Sequence, residues 1–412
     1  MIIKRNAELQ RIKRLGNWIY IAGRRKTGKT FFVKNFLEYD RYFFVRKDRM
    51  VFDENGKSFS YETFFEIFKE LLGKKKIVID EFHRLPEEFF EYLHFIGEKG
   101  ELITISSTLY LTKKLLGKGS PIMGLFSLMI FGLCDERDVI NSLIEYGISS
   151  PKEVIEATIY LREPILALKY SSPLREFLAA YLFENRAAIS EIIGEIFSEE
   201  ERRLSEIYEG ILRAVASGKN TSGEITSFLF SRKLIPKDNP GLIQRYLDVL
   251  VKIGILEKIE VWNKRKFRYF HVSPLFDLHY YLDEKYAYVE RDIPFEWIRE
   301  CVNIKLPLHI EQLFRNLFSK MTGYQFKKIE EPEIDIALFR FKKLKLIGEV
   351  KWKKKISQNE LKELQKKFAK FGNVKKILIV PEKNEIENKV KFAQVIDAKD
   401  IVRIVKSQTF EF

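Results

Sequence analysis

The sequence predicts an α/β chain in three parts. Three observations carry that prediction: the length, an alternation of short apolar runs with helical stretches up to about Gly132, and strand-like runs that return after about Asp292. A chain of 412 residues exceeds what one hydrophobic core usually organises. The expected parts are residues 1–198, a parallel sheet with a helical lid; residues 199–290, helices followed by a hairpin; and residues 291–412, a second α/β unit.

In the first part, Trp18 to Ala22, Tyr42 to Arg46, Ile77 to Ile79 and Leu102 to Ile105 are apolar runs of strand length. From about Asp135 to Tyr181 the spacing turns helical, with Ile140, Leu143 and Ile144, then Val154, Ile155 and Ile159, on buried faces. In the second part, Ser222 is placed to cap a helix from near Glu224, and Pro240 to open one that runs to Ile253 and stops at Gly254. Leu256 to Val261 and Phe267 to Val272 then flank the polar turn Trp262-Asn-Lys-Arg-Lys266, and the whole resembles a winged helix. The third part offers a helix from about Leu308 to Lys320 and strands near Tyr324 to Lys328, Ile334 to Phe341 and Lys345 to Trp352. A helix, Gln358 to Phe371, and a strand, Lys375 to Val380, complete it.

Composition sets limits on function. A hydrophobic share of 46% and an aromatic share of 14% exclude long disordered stretches. Cys134 and Cys301 lie far apart, without disulfide or metal spacing, as in a reducing cytoplasm. The most apolar stretch, Pro121 to Cys134, is too short to span a bilayer, and the N-terminus lacks a signal peptide's apolar core, so a cytoplasmic protein with no membrane partner is expected. The net charge of +14 admits two readings, a polyanionic partner such as nucleic acid or the Lys/Glu-rich surface of a hyperthermophile. The histidines at 83, 94, 271, 279 and 309 show no metal-ligand spacing, which leaves packing or exposed positions as their expected role, although the place of His83 after Asp80-Glu81 suggests a contact with the site.

The sharpest motif is Gly23-Arg24-Arg25-Lys26-Thr27-Gly28-Lys29-Thr30, a full P-loop pattern after an apolar strand and before a helix. Its backbone N–H groups would turn inward around phosphates, with the helix presenting its positive end. Lys29 would reach the β- and γ-phosphates of ATP, and Thr30 would hold Mg2+. Lys76-Ile-Val-Ile-Asp80-Glu81 is an apolar strand ending in two acids: Asp80 for the metal, Glu81 to deprotonate the attacking water. The next strand ends in Ser106-Ser107, of which Ser106 is the expected γ-phosphate sensor, with strand-end capping as the alternative.

These residues resemble the archaeal P-loop ATPases of the AAA-related, STAND-like signal-transduction class. The resemblance implies a P-loop NTPase domain, then a winged helix, then an α/β restriction-endonuclease-like domain of the PD-(D/E)XK kind. Arg5-Asn-Ala-Glu8-Leu9 looks like the family's N-terminal motif, whose arginine and glutamate lie near the nucleotide. Asp80-Glu81-Phe82-His83-Arg84-Leu85 is similar to its acidic-strand signature. Ser120-Pro121-Ile-Met-Gly124-Leu125 departs from it, since relatives usually end this segment Gly-Arg. Arg162-Glu163-Pro164 stands where Gly-x-Pro is typical, and both departures bear on hydrolysis and sensing.

The second and third parts carry weaker signals. A winged helix would offer Gln244, Arg245 and Lys252 from its third helix and Lys264, Arg265 and Lys266 from its wing to DNA; the alternative is a module packed on the ATPase core. Glu311, Asp335 and Glu349-Val350-Lys351 match the nuclease pattern, with Glu349 and Lys351 on one strand face and Glu311, Asp335 and Glu349 as metal ligands. Glu349 and Lys351 are the expected catalytic pair, unless the fold only binds. An ATP-dependent switch acting on nucleic acid, most simply DNA, is the leading expectation. A signalling ATPase whose later modules bind a protein partner or another copy is the alternative.

Overall fold

The computed structural model describes residues 1–200, 202–386 and 390–407; residues 201, 387–389 and 408–412 of the second and third expected parts lie outside it. The chain begins with α1 (Asn6–Ile12), β1 (Trp18–Ala22), α2 (Lys29–Phe36), β2 (Arg41–Val45), β3 (Val51–Asp53), β4 (Ser58–Phe59) and α3 (Tyr61–Leu71). β5 (Ile77–Asp80), α4 (Glu87–Ile96), β6 (Leu102–Ser106), α5 (Tyr110–Leu115) and β7 (Ser127–Ile130) follow. The strands form a seven-stranded sheet in the order β4-β3-β2-β5-β6-β1-β7, parallel from β2 to β7 and antiparallel at the β3 and β4 edge.

β1 and β6 are buried along their whole length, as central parallel strands covered on both faces are. Alternation splits their side chains between two cores. Trp18 and Tyr20 face the phenylalanines of α3 and α4, while Ile19 and Ile21 face Phe32 and Val33 of α2. β7, β3 and β4 were not expected; β7 lies inside the apolar stretch that the sequence presents as one run.

The lid comprises α6 (Glu136–Glu145), α7 (Pro151–Leu161), α8 (Pro164–Ala167), α9 (Leu174–Glu184) and α10 (Arg186–Glu199), so helix continues well past Tyr181. Next come α11 (Glu206–Ala216), α12 (Ser222–Ser231), α13 (Gln244–Lys252) and the antiparallel pair β8 (Leu256–Glu260) and β9 (Phe267–His271). Thr221, not Ser222, caps α12: its hydroxyl accepts from Glu224 N while the Glu224 side chain accepts from Thr221 N. Pro240 opens a 3-10 turn, Pro240–Ile243, before the α-helix proper.

α14 (Pro274–Tyr286) leads to α15 (Phe295–Thr322), far longer than the helix expected from Leu308, because Pro307 is accommodated inside it. β10 (Gln325–Phe326), β11 (Ile329–Glu330), β12 (Glu333–Ile334), β13 (Ile336–Arg340) and β14 (Lys343–Val350) precede α16 (Gln358–Ala369). β15 (Lys375–Val380), β16 (Gln394–Asp397) and α17 (Ala398–Ser407) end the described chain. Five strands form a second sheet in the order β10-β13-β14-β15-β16. The lid, α11 to α15 and one face of this sheet share a continuous apolar core, distinct from those of the first sheet. Among the described residues no helix is long and apolar enough to cross a membrane.

Candidate functional site

β1 delivers the chain to the P-loop at Gly23. Only glycine fits there, since a Cβ would lie 2.1 Å from the Phe131 carbonyl oxygen. Gly28, at φ 88°, turns the loop into α2. Lys29 is buried within the loop, its Nζ donating to Gly23 O and Arg24 O at 2.9 Å each, and burial pushes its pKa down to about 8. Thr27 Oγ1 donates to Arg24 O, and Arg5 ties the N-terminal motif to this loop by donating to Thr27 O while pairing with Glu8 at 2.9 Å.

The two expected metal ligands meet. Thr30 Oγ1 donates to Asp80 Oδ2 at 2.6 Å, and Tyr42 donates to the same oxygen at 2.7 Å. Tyr42 escaped the sequence reading, although Phe44 pairs in register with Asp80 and strand alternation puts Tyr42 on the Phe44 face. Glu81 takes a left-handed backbone at φ 58° and accepts from Ser107 Oγ at 2.8 Å. Burial pushes its carboxyl up, against the pull of Arg84.

Ser106, the expected sensor, meets His83 and Thr108. Its hydroxyl is fully buried, 2.9 Å from both His83 Nδ1 and Thr108 Oγ1, because the last residue of β6 points into the sheet's packing. Ser107, one residue on, lines a cavity of about 490 Å³ with Lys29, Thr30, Glu81, Arg84 and Glu199. An adjoining apolar cavity of about 310 Å³ shares Lys26 and Gly28 and is lined by Ile2, Ile3, Phe31, Pro164, Ile165 and Leu168. A polar chamber beside an apolar one suits a phosphate chain and a planar base, and no local motif announced the second chamber.

The loop's three consecutive cations take different surroundings. Arg24 forms a buried ion pair with Glu163, at the position where Gly-x-Pro was expected, and lies 4.9 Å from the Phe276 ring. Arg25 pairs with Glu195 at 2.7 Å and Glu199 at 2.8 Å, and Lys26 is exposed. Leu125, which ends the segment that departs from the expected pattern, is partly buried against the core beneath α3 and α4. Among the described residues, the one group of three potential metal ligands within 4.8 Å of one another is Glu81, His83 and Glu199. His83 stands beside Glu81, the contact that its place after Asp80-Glu81 suggests, with burial pushing its pKa down to about 4.

The C-terminal acids assemble only in part. Lys351 lies one residue past β14, yet its N–H continues the pairing to Ile379 O and its Nζ reaches Glu349 at 3.3 Å. Lys367 of α16, unforeseen from sequence, holds the other Glu349 oxygen at 2.5 Å. Asp335 accepts from Val350 N at 2.8 Å. Burial, reinforced by Asp335 and Glu349, pushes Glu311 up to about 8. Glu311, Asp335 and Glu349 nonetheless do not close to the 4.8 Å of a ligand group.

The hairpin tip differs from the expected free wing. Lys264 pairs with Glu330 and Glu331 at 3.0 and 2.8 Å, Lys266 lies 3.4 Å from Glu330, and only Arg265 of the three is without a described ion pair. On α13, Gln244 donates to Pro240 O, while Arg245 and Lys252 are exposed.

Residues 16–128 match the protein family described as "AAA domain", so the chain carries an AAA-type P-loop ATPase domain. No curated protein matches. Among solved structures, the Aeropyrum pernix ORC2 protein in ADPNP-ADP complexes is 13% identical, with TM-score 0.38 over 73% of this chain and 91% of that one. The Aeropyrum pernix ORC1 protein in complex with DNA is 15% identical, TM-score 0.32, over 71% and 95%. Cdc6p from Pyrobaculum aerophilum is 14% identical, TM-score 0.28, over 74% and 96%. Likeness at these scores carries no weight for ligand or partner.

Proposed function

We propose that this chain is an ATP-driven switch acting on nucleic acid, in which residues 1–198 bind and hydrolyse ATP with Mg2+. Residues 199–290 would act as a winged helix and residues 291–412 as a restriction-endonuclease-like unit. The observation that carries the reading is the convergence of Lys29, Thr30, Glu81 and Ser107 on one polar cavity beside an apolar chamber, with Asp80 bonded to the Thr30 hydroxyl.

The oxygen donors Thr30 and Asp80 suit Mg2+, which when bound neutralises charge on the β- and γ-phosphates. Gly23, Arg24, Arg25, Lys26, Thr27 and Gly28 shape the phosphate cradle, and Lys29 supplies its cation. Glu81, held by Ser107 and raised by burial, orients the attacking water and takes its proton. Ile2, Ile3 and Pro164 line the apolar chamber that would take the base.

Nucleic acid fits the basic approach formed by Arg245, Lys252 and Arg265, together with Lys342, Lys343 and Lys345 near the second sheet. Metal-dependent cleavage by Glu349 and Lys351, with Glu311 and Asp335 as ligands, is a second reading, favoured by the contact between Glu349 and Lys351. The lysines on both Glu349 oxygens favour a binding module over a cutting one.

The test is a gel shift on mixed-sequence DNA at graded salt, with and without ATP, together with Mg2+-dependent cleavage of supercoiled DNA by native protein and Lys351→Ala. A salt-sensitive shift that responds to ATP is expected. No shift at physiological salt would sink the nucleic-acid reading, and cleavage lost in Lys351→Ala would establish the nuclease.

A further inference from the structure

Glu199 ends α10 and is 7% exposed, yet its carboxylate meets cations from three separate segments. Arg25 Nη1 of the P-loop lies at 2.8 Å, Arg84 Nη2 after β5 at 3.2 Å, and Lys47 Nζ after β2 at 3.7 Å. His83 Nε2 stands at 3.9 Å. All of this lies on the Glu81 side of the P-loop cavity, where the terminal phosphate of a bound triphosphate must point if Glu81 is to direct water at it. Across the cavity five cationic side chains face three carboxylates, so positive charge is in excess even with Glu199 in place.

We propose that Arg84 and Arg25 grip the terminal phosphate of ATP, and that Glu199 is the resident competitor which that phosphate displaces. Arg84 is built for the part: Nη1 is anchored on Val45 O at 3.0 Å, which leaves Nη2 between Glu199 at 3.2 Å and Glu81 at 3.5 Å, facing the place of the anion. A carboxylate offers two oxygens and one charge. A terminal phosphate offers three oxygens and about two charges, and guanidinium forks bind it through paired hydrogen bonds. The triphosphate therefore outcompetes Glu199, whereas ADP, which ends one phosphate short, leaves it in place.

The exchange is transmitted because the next residue is also engaged. The Glu200 carboxylate accepts from the backbone N–H groups of Leu109, Tyr110 and Leu111 at the start of α5. α11 begins only a few residues later, at Glu206. Moving Glu199 thus pulls on the cap of α5 and on the chain entering the downstream helices.

The inference rests on nucleotide binding at the P-loop, and the experiment separates the two. Equilibrium binding of ADP and of a non-hydrolysable ATP analogue, each with Mg2+, is measured on native protein, Glu199→Gln, Arg84→Ala and Lys29→Ala. Glu199→Gln is expected to tighten the analogue about tenfold and Arg84→Ala to weaken it by about as much, each moving ADP by less than about twofold. If both nucleotides shift alike in both variants, the competition is wrong; if native protein binds neither, the P-loop reading itself fails. Hydrogen exchange on native protein guards against a misfolded variant. The amides of Leu109, Tyr110 and Leu111 should exchange faster with the analogue than with ADP, and equal rates would overturn the displacement.

Discussion

Asp277 on α14 offers the most demanding test of how the molecule is held together. Its Oδ2 accepts from Lys305 Nζ at 2.5 Å and from His309 Nε2 at 2.9 Å, and His309 Nδ1 stands 2.9 Å from the Tyr160 hydroxyl. Lys305 also donates to Ala216 O at 2.8 Å. One carboxylate thus joins α7, α11, α14 and α15. It is 6% exposed and Lys305 5%, so neither charge can turn to water when the other is lost. Asp277→Asn strands the Lys305 ammonium, at a cost of about 3–5 kcal/mol, a large share of the roughly 5–15 kcal/mol that holds a domain.

Adding Lys305→Met removes the stranded charge, so the double variant should recover most of that loss. The readout is urea unfolding at pH 7 followed by circular dichroism. Although burial opposes ionisation, Lys305 and His309 hold the Asp277 carboxyl well below the usual range. A depressed acid stabilises the fold above its unfolded value near 4, and that stability is lost as pH falls through the folded value. The gap between native and Asp277→Asn should therefore hold from pH 7 to 5 and close below about pH 4. A single-variant loss under about 1 kcal/mol, or a double variant equal to the sum of the singles, would refute the reasoning.

Three further outcomes follow from local geometry. Gly23→Ala should abolish ATP binding measured by equilibrium dialysis, because the added Cβ meets the Phe131 carbonyl oxygen at 2.1 Å and must distort the loop. Glu81→Gln should keep nucleotide binding, since the amide can still accept from Ser107, while phosphate release falls about 10²–10⁴-fold. Burial, with Asp135 and Glu8 acting the same way, pushes Asp138 up to about 6. A raised acid stabilises the fold only below its unfolded value near 4 and loses that as pH rises through about 6, so Asp138→Asn should gain up to about 2 kcal/mol at pH 7 and nothing at pH 4 in thermal melts.

The P-loop was legible because its chemistry is local: the glycines, Lys29 and Thr30 are contiguous, and Asp80-Glu81 ends an apolar strand. What sequence concealed comes from closure of distant elements. Glu199, Tyr42, Ile2 and Lys367 sit in segments with no motif of their own, and only the packing of α10, β2, the N-terminus and α16 brings them to a site. Ser106 and Ser107 turn to different surroundings, one to His83 and Thr108 and the other to the cavity, and the sequence alone does not say which of the two the cavity takes. The helix expected from about Leu308 starts instead at Phe295, because tertiary packing along α15 outweighs the backbone hydrogen bond that Pro307 forfeits.

The arrangement of cores and ion pairs decides what a nucleotide-driven movement would move. The lid, α11 to α15 and one face of the second sheet share a single apolar core. Polar ties cross the same junctions: Lys320 reaches Glu136 at 2.6 Å and Trp352 Nε1 donates to Glu156 at 3.0 Å, both joining the C-terminal unit to the lid. The hairpin is bound to that unit as well, through Trp262 N to Lys328 O at 2.8 Å and through the Lys264 and Arg268 pairs with Glu330. A hairpin so held is a poor free wing, but a good lever. Displacing Glu199 would act on a clamped body rather than on a loose module, shifting Arg245, Lys252, Arg265 and the lysines of the second sheet together against the ATPase sheet. Such a body would carry its basic groups as a set, at fixed mutual spacing, to one position or another relative to the ATPase sheet according to nucleotide state, which is what the proposed switch requires.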